Sequence, residues 1–309
     1  MTVGGRPDAS LARLQADAVA RLTEAGVDSP RADAHWLLAH ALRIDRGRLP
    51  LVDEVSDQAA ARFERLLRRR EAREPLQHIL GRVEFGAGAG TVELRVGPGV
   101  FIPRPETELL LEWAIRTAPV NALVADFCSG SGALALGLAT AREDVRVLAV
   151  ELYDEARGWL RRNVAAQPLP VAQRVVVVDA DVTDPASVRA AIADQAGAVG
   201  WPAGTALDLV VANPPYVPTR TDGVPTAVSA EVGADPPAAV FAGADGMAVI
   251  VPMLETARAV GRPGTELGIE HDDATGPTVA AALEATGFTS ITARTDLAGA
   301  QRYVTAVQG

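Results

Sequence analysis

From residue 122 onward, short runs of β-branched and aliphatic residues alternate with helical stretches, and this alternation restricts the chain more than any other feature. The runs are ALVADF (122–127), VRVLAV (145–150), RVVVVDAD (174–181), and residues 207–212, 265–270, 288–294 and 303–307. Helical stretches at 133–140, 247–260 and 278–286 fall between them. Dense apolar runs with little polar alternation suit strands buried on both faces of a parallel sheet. Strands alternating with helices give an α/β, doubly wound, mainly parallel sheet, here of seven strands. In such sheets ligands bind outside the carboxyl ends of the strands. Residues 183–206 form a long alanine-rich crossover, and there is no internal repeat.

The first 85 residues read differently. Leu11, Leu14, Ala18 and Leu22 follow helical spacing, with Gly26 as a stop. Ser29-Pro30 is an N-cap followed by proline at the first helical position, leading into Leu37, Leu38, Ala41 and Leu42. A third helix starts near Ser56 and turns Phe63, Leu66 and Leu67 inward. Its other face holds Arg62, Arg65, Arg68, Arg69 and Arg70, the one basic concentration of the chain. That face is read as solvated, with a partner-docking surface as the alternative. Residues 86–102 are glycine-rich with strand-like pieces at 91–96 and 100–102, which reads as a linking β-hairpin. The expected division is therefore a small N-terminal helical, substrate-docking domain over 1–85, the hairpin over 86–102, and the sheet domain over 103–309.

Composition excludes several classes of function. The chain has 309 residues, 48% apolar and 22% charged, enough for two modest cores. No apolar run approaches the roughly 20 residues that span a bilayer, and the N-terminus MTVGGRPDAS lacks an apolar signal region. A cytoplasmic protein with no membrane contact is expected. Cys128 is the only cysteine, and four scattered histidines make no zinc-type cluster, so no metal is expected. A net charge of −10 opposes direct nucleic-acid binding that relies on phosphate neutralisation. A monomer is expected.

The run at 207–212 stops on Asn213-Pro214-Pro215-Tyr216. Two successive prolines cannot donate ladder hydrogen bonds, so the strand ends there, and their fixed φ stiffens the loop. An amide, a rigid turn and an aromatic ring thus stand at the carboxyl end of a buried strand. The Asn213 carboxamide can accept and donate towards a planar NH2 group. The Pro214 carbonyl supplies a second acceptor, and Tyr216 can cover one face of the plane. This is a clamp for a planar amine or amide nitrogen awaiting an electrophile; an ordinary strand-ending proline turn is the plainer explanation.

Upstream, Asp126 ends a strand and Cys128-Ser129-Gly130-Ser131-Gly132 turns directly into a helix, where glycine lets a ligand approach the backbone. Nineteen residues beyond Gly132, Glu151 stands at the tip of the second strand, where an acid commonly grips ribose hydroxyls. Gly130, Gly132 and Ala135 also fit the relaxed dinucleotide fingerprint of a nicotinamide-dependent enzyme. Two features weigh against that. Asp126 would repel a pyrophosphate, and the clamp at Asn213 has no role in hydride transfer. S-adenosylmethionine satisfies both. It offers a sulfonium and an α-amino group to the acids, a ribose to Glu151, an adenine to the third strand's end near Asp181 and Val182, and a methyl electrophile to a clamped nitrogen.

With these residues in view, the chain resembles the HemK/PrmC family of class I methyltransferases. The resemblance runs through Glu74–Gly81, the segment FIPRPETE (101–108), DFCSGSGALAL, NPPYV, and Asp296-Leu297-Ala298-Gly299 with Arg302. It implies an S-adenosylmethionine-dependent enzyme that methylates the glutamine side-chain amide in the Gly-Gly-Gln motif of peptide chain release factors. It assigns catalysis to Asn213, Pro214, Pro215 and Tyr216. It places Cys128, Ser129, Gly130, Ser131, Gly132, Glu151 and the Val182 position at the cofactor, with Phe101, Arg104 and Thr107 near the methionine portion; Asn213 borders it too. The closest rival is a methyltransferase acting on the exocyclic amine of adenine in DNA or RNA, since the same clamp fits a flipped base. A non-enzymatic adaptor of a translation factor is the more distant one.

Overall fold

The computed structural model describes residues 9–196, 206–219, 229 and 231–309. The chain forms two compact units. One comprises Met1–Gly81 with Ser229–Ala234, the other Arg82–Val228 with Asp235–Gly309.

In the first unit, β1 (Ala9–Ser10) pairs with β2 (Glu54–Val55), beside α1 (Leu11–Glu24), α2 (Pro30–Leu42), α3 (Asp57–Glu71) and α4 (Leu76–Leu80). Ser10 caps α1 by accepting from the Arg13 N–H at 3.3 Å, and Ser56 caps α3 through the Ala59 N–H at 3.4 Å. Leu22, Leu37, Leu38, Phe63 and Leu67 fill the core. The basic face of α3 departs from expectation at Arg70, which points inward in line with Phe63 and Leu67 and is 5% exposed. Its guanidinium donates to Asp33 at 2.7 Å and Glu231 at 2.9 Å, and to the Glu74 carbonyl at 3.0 Å. Arg73 also grips Glu231, at 2.8 Å. Arg68 and Arg69 are exposed but paired, with Glu64 and Glu74 respectively.

The second unit opens with a hairpin of β3 (Arg82–Phe85) and β4 (Val92–Arg95), so the partner of β4 is 82–85 and not 100–102. Pro98 and the left-handed Gly99 (φ +90°) carry the chain off the ladder, and the Ile102 N–H donates to Asp235 Oδ1 at 3.0 Å instead. There follow α5 (Thr107–Thr117), β5 (Leu123–Phe127), α6 (Ala133–Ala141), β6 (Arg146–Val150), α7 (Asp154–Ala166), α8 (Leu169–Ala172), β7 (Val175–Val178) and α9 (Pro185–Ala196). The chain is described again through β8 (Leu209–Ala212), α10 (Pro237–Val240), α11 (Ile250–Val260), β9 (Glu266–Glu270), α12 (Gly276–Ala285), β10 (Phe288–Thr295) and β11 (Gln301–Gln308). The crossover at 183–206 thus contains α9, and its remainder lies outside the described residues.

The sheet has seven strands in the order β10-β11-β9-β8-β5-β6-β7. β7, β6, β5, β8 and β9 pair in parallel, while β11 runs antiparallel to both neighbours. Burial alternates along each strand. Leu123, Ala125 and Phe127 pack with α11 and α12 on one face, and Val124 with α5 and α6 on the other. Both faces are covered, which is why these strands read as continuous apolar runs. The order reverses between β5 and β8, so their carboxyl ends bound a crevice.

Candidate active site

A cavity of about 450 Å³ occupies that crevice, lined among others by Phe101, Thr107, Asp126, Cys128, Ser129, Gly130, Ser131, Glu151, Asp181, Val182, Asn213 and Pro215. These are twelve of the sixteen residues expected at the site. Gly132, Arg104, Pro214 and Tyr216 are not among the lining residues. Gly132 instead caps α6 with φ +90°, where a Cβ would meet Leu160 at 2.5 Å. Arg104 lies 5.0 Å over the Phe101 ring and pairs with the buried Asp235.

The turn after β5 is built for backbone exposure. Cys128, Gly130 and Gly132 all have positive φ, at 58°, 56° and 90°, and Cys128 takes it despite its side chain. The turn is stitched on three sides. The Ser129 N–H donates to the Val150 carbonyl at 3.0 Å, the Gly130 N–H to Glu151 Oε2 at 2.9 Å, and the Ser131 carbonyl accepts from buried Asn163 at 2.9 Å. Glu151 Oε1 accepts from the Tyr153 N–H at 2.9 Å. One lone pair on each Glu151 oxygen is thereby used by the protein, and one is left. Arg157, buried on α7, donates to the Glu151 and Leu152 carbonyls at 3.0 and 2.6 Å and steadies the same rim. Asn163 and Arg157 carried no signal in the sequence, because each acts on a carbonyl brought near only by the fold.

Asp126 is 1% exposed. Its Oδ2 accepts from the Ala135 N–H at 3.0 Å, capping the first turn of α6, while Oδ1 is buried without a partner. Burial pushes this carboxyl up to about 7, with the nearby Glu151 charge adding to it. Glu151 is likewise raised, chiefly by burial. At the end of β7, Asp181 accepts from the Thr183 N–H and hydroxyl at 2.8 and 2.7 Å, and Val182 is buried beside it. The wall is therefore rich in carboxylate acceptors, one of them waiting for a donor. That donor set fits S-adenosylmethionine, whose α-amino group, ribose hydroxyls and adenine NH2 are donors, and it repels a pyrophosphate.

At the opposite wall Asn213 follows β8, half-buried, with Pro214 and Pro215 buried behind it. Its Nδ2 donates to Thr107 Oγ1 at 3.1 Å. The Tyr216 hydroxyl donates to Glu270 Oε1 at 3.1 Å, and burial together with that carboxyl raises the Tyr216 pKa. Beyond Tyr216 the chain bridges to the end of α10, with the Val217 N–H on the Val240 carbonyl at 2.9 Å. Gly246 (φ +75°) packs so closely that a Cβ there would lie 2.2 Å from the Tyr216 carbonyl oxygen. Glu270 and Gly246 were not legible as parts of this site; both reach Tyr216 from positions distant along the chain.

A seven-stranded sheet of this order, a glycine turn walled by acids and an oriented amide at the next strand define an S-adenosylmethionine-dependent methyltransferase of class I fold. Residues 13–81 match the family model of the PrmC N-terminal domain. The chain is 45% identical over 94% of its length to the release factor glutamine methyltransferase of Mycolicibacterium smegmatis, covering 95% of that protein. Against the enzymes of the same name from Mycobacterium tuberculosis and Corynebacterium glutamicum it is 41% and 42% identical, over 94% of its length and 89% and 96% of theirs. The chain belongs to the release factor glutamine methyltransferase family.

Proposed function

We propose that this enzyme transfers a methyl group from S-adenosylmethionine to the side-chain amide nitrogen of the glutamine in the Gly-Gly-Gln motif of peptide chain release factors. The observation that carries the reading is the orientation of Asn213. Its NH2 group is committed to Thr107, which leaves its oxygen as the acceptor for a substrate N–H. An amide nitrogen is a poor nucleophile because its lone pair is delocalised into the carbonyl. Asn213 Oδ1 and the Pro214 carbonyl accept the two N–H bonds and favour positive charge growing on nitrogen. Tyr216 packs beside the amide plane, and Pro215 keeps the loop stiff.

The cofactor supplies a methyl group on a sulfonium when bound. Asp126 takes its amino group, Glu151 the ribose hydroxyls, and Asp181 with Val182 the adenine. Phe101, Arg104 and Thr107 border the methionine portion, Arg104 by holding Phe101 from behind. The glycine turn from Cys128 to Gly132 brings backbone against it. The methylated amide cation is strongly acidic, so its proton needs no dedicated base.

The helical N-terminal domain docks the release factor, and the hairpin joins it to the methyltransferase domain. The enzyme works as a monomer in the cytoplasm without binding nucleic acid directly; among the described residues no helix is long and apolar enough to cross a membrane. The test offers methyl-labelled S-adenosylmethionine with release factor, with its Gln-to-Ala variant in the Gly-Gly-Gln motif, and with DNA. Label on the unaltered release factor alone is expected. Label on the variant refutes the glutamine assignment, and label on DNA with none on protein favours an adenine amine as substrate.

A further inference from the structure

Glu270 ends β9 and is 3% exposed. It does not line the cavity, yet it stands behind both ends of the Asn213–Tyr216 segment. Tyr216 donates to its Oε1 at 3.1 Å. The Thr107 hydroxyl, on α5, lies beside the same carboxyl and accepts from Asn213 Nδ2 at 3.1 Å. Glu270 Oε2 is buried with no hydrogen-bond partner of normal length.

A hydroxyl has one proton to place. With its oxygen accepting from Asn213, Thr107 must send that proton to another acceptor, and the Glu270 carboxylate is the acceptor beside it. An ionised carboxylate accepts only, so it dictates the whole relay. Thr107 turns its proton to Glu270 and its lone pair to Asn213, and Asn213 turns its NH2 to Thr107 and its oxygen to the cavity. A protonated Glu270 is itself a donor. Thr107 then accepts from it and turns its own proton to Asn213, which inverts the amide and presents NH2 to an incoming NH2.

We propose that Glu270 is a positioning residue for substrate recognition, fixing through Thr107 and Tyr216 which end of the Asn213 amide meets the substrate. The inference rests on the reading of Asn213 as acceptor for the substrate amide. It gives the buried acid a consequence in pH. Burial pushes Glu270 up to about 7; the Thr107 and Tyr216 hydroxyls and the Arg302 charge on β11 pull it down, and Glu106 beside α5 pushes it up. His271, next in the chain, is lowered by burial and is neutral in this range. The competent, ionised form gains population as pH rises through about 7, and turnover rises with it.

The experiment compares wild type, Glu270→Gln and Glu270→Leu across about pH 5.5 to 9, with kcat at saturating release factor and cofactor affinity by calorimetry. Wild type is measured first. If it does not methylate release factor, the reading of the substrate has failed and not the relay. Given an active wild type, Glu270→Leu is expected to lose roughly 10²-fold in kcat with cofactor affinity within about threefold. Glu270→Gln keeps an acceptor oxygen but cannot ionise. It is expected to recover to within about tenfold of wild type and to lose the acid limb of the profile. A Glu270→Leu enzyme within about threefold of wild-type kcat overturns the proposal, as does a Glu270→Gln enzyme that keeps the acid limb. If the leucine variant does not fold, the profile of the glutamine variant decides alone.

Discussion

Asp126 is more favourable to the ligand than to the fold, and replacing it by asparagine separates the two. In the folded chain its carboxyl titrates at about 7, against an ordinary value of 3.8, because it is buried. The folded state therefore holds a proton on this group that the unfolded state has already released between about pH 4 and 7. Stability falls as pH rises through that window and stays low above it. Each tenfold change in proton affinity is worth about 1.4 kcal/mol, so the ionised carboxyl costs the fold at most about 4 kcal/mol. In Asp126→Asn the new carboxamide would accept from the Ala135 N–H through its oxygen, place NH2 where Oδ1 now has no partner, and carry no charge. Without ligand, Asp126→Asn is expected to be about 2–4 kcal/mol more stable than wild type at pH 8, with the gap closing towards pH 4.5. Urea unfolding at the two pH values measures this, and taking the difference between variant and wild type removes the similar contributions of Glu270 and Asp235. The same change sets a donor against a donor in the cofactor. Losing a hydrogen bond to a charged group costs about 1.5–3 kcal/mol, so affinity should fall about 10- to 100-fold by calorimetry. A stability difference independent of pH, or unchanged affinity, refutes the reasoning.

Three further perturbations probe other parts of the account. Gly246→Ala puts a Cβ 2.2 Å from the Tyr216 carbonyl oxygen, so the loop must shift and kcat should fall by roughly 10²-fold. Gly264→Ala, also at positive φ but with open space around the new atom, is the control for backbone strain and should leave kcat unchanged. Arg70→Met strands Asp33 and Glu231 without their buried partner and should cost about 3–5 kcal/mol in chemical denaturation; a loss below about 1 kcal/mol contradicts the buried cluster. Glu151→Gln offers one acceptor oxygen where the Gly130 and Tyr153 N–H groups now use two. Cofactor affinity should drop at least about tenfold by calorimetry while kcat at saturation holds within a few fold.

The parts of this protein that the sequence discloses are those set by local chemistry. Strands buried on both faces betray themselves as runs such as VRVLAV, and Pro214-Pro215 announces the end of one. The glycine turn and the acids at strand tips follow from the backbone they require. What stays hidden depends on contacts distant along the chain. Arg70 reads as one more surface arginine because its partners, Asp33 and Glu231, are 37 and 161 residues away. The hairpin is misregistered for a related reason. Residues 100–102 have strand composition, yet their burial is satisfied against α7 and by Asp235, with no ladder partner. Thr107 reads as a helix start near the cofactor, and only the fold makes it the group that orients Asn213. Glu270 looks like a polar end to an apolar strand until Tyr216 is seen to point at it.

The central claim is that the Asn213 oxygen holds the substrate amide, and the rate of methyl transfer by Asn213→Ala tests it most directly. With cofactor affinity measured in parallel, turnover on release factor is expected to fall by roughly 10²-fold or more while S-adenosylmethionine binds as before. Unchanged turnover, or a loss explained wholly by weaker cofactor binding, contradicts the account.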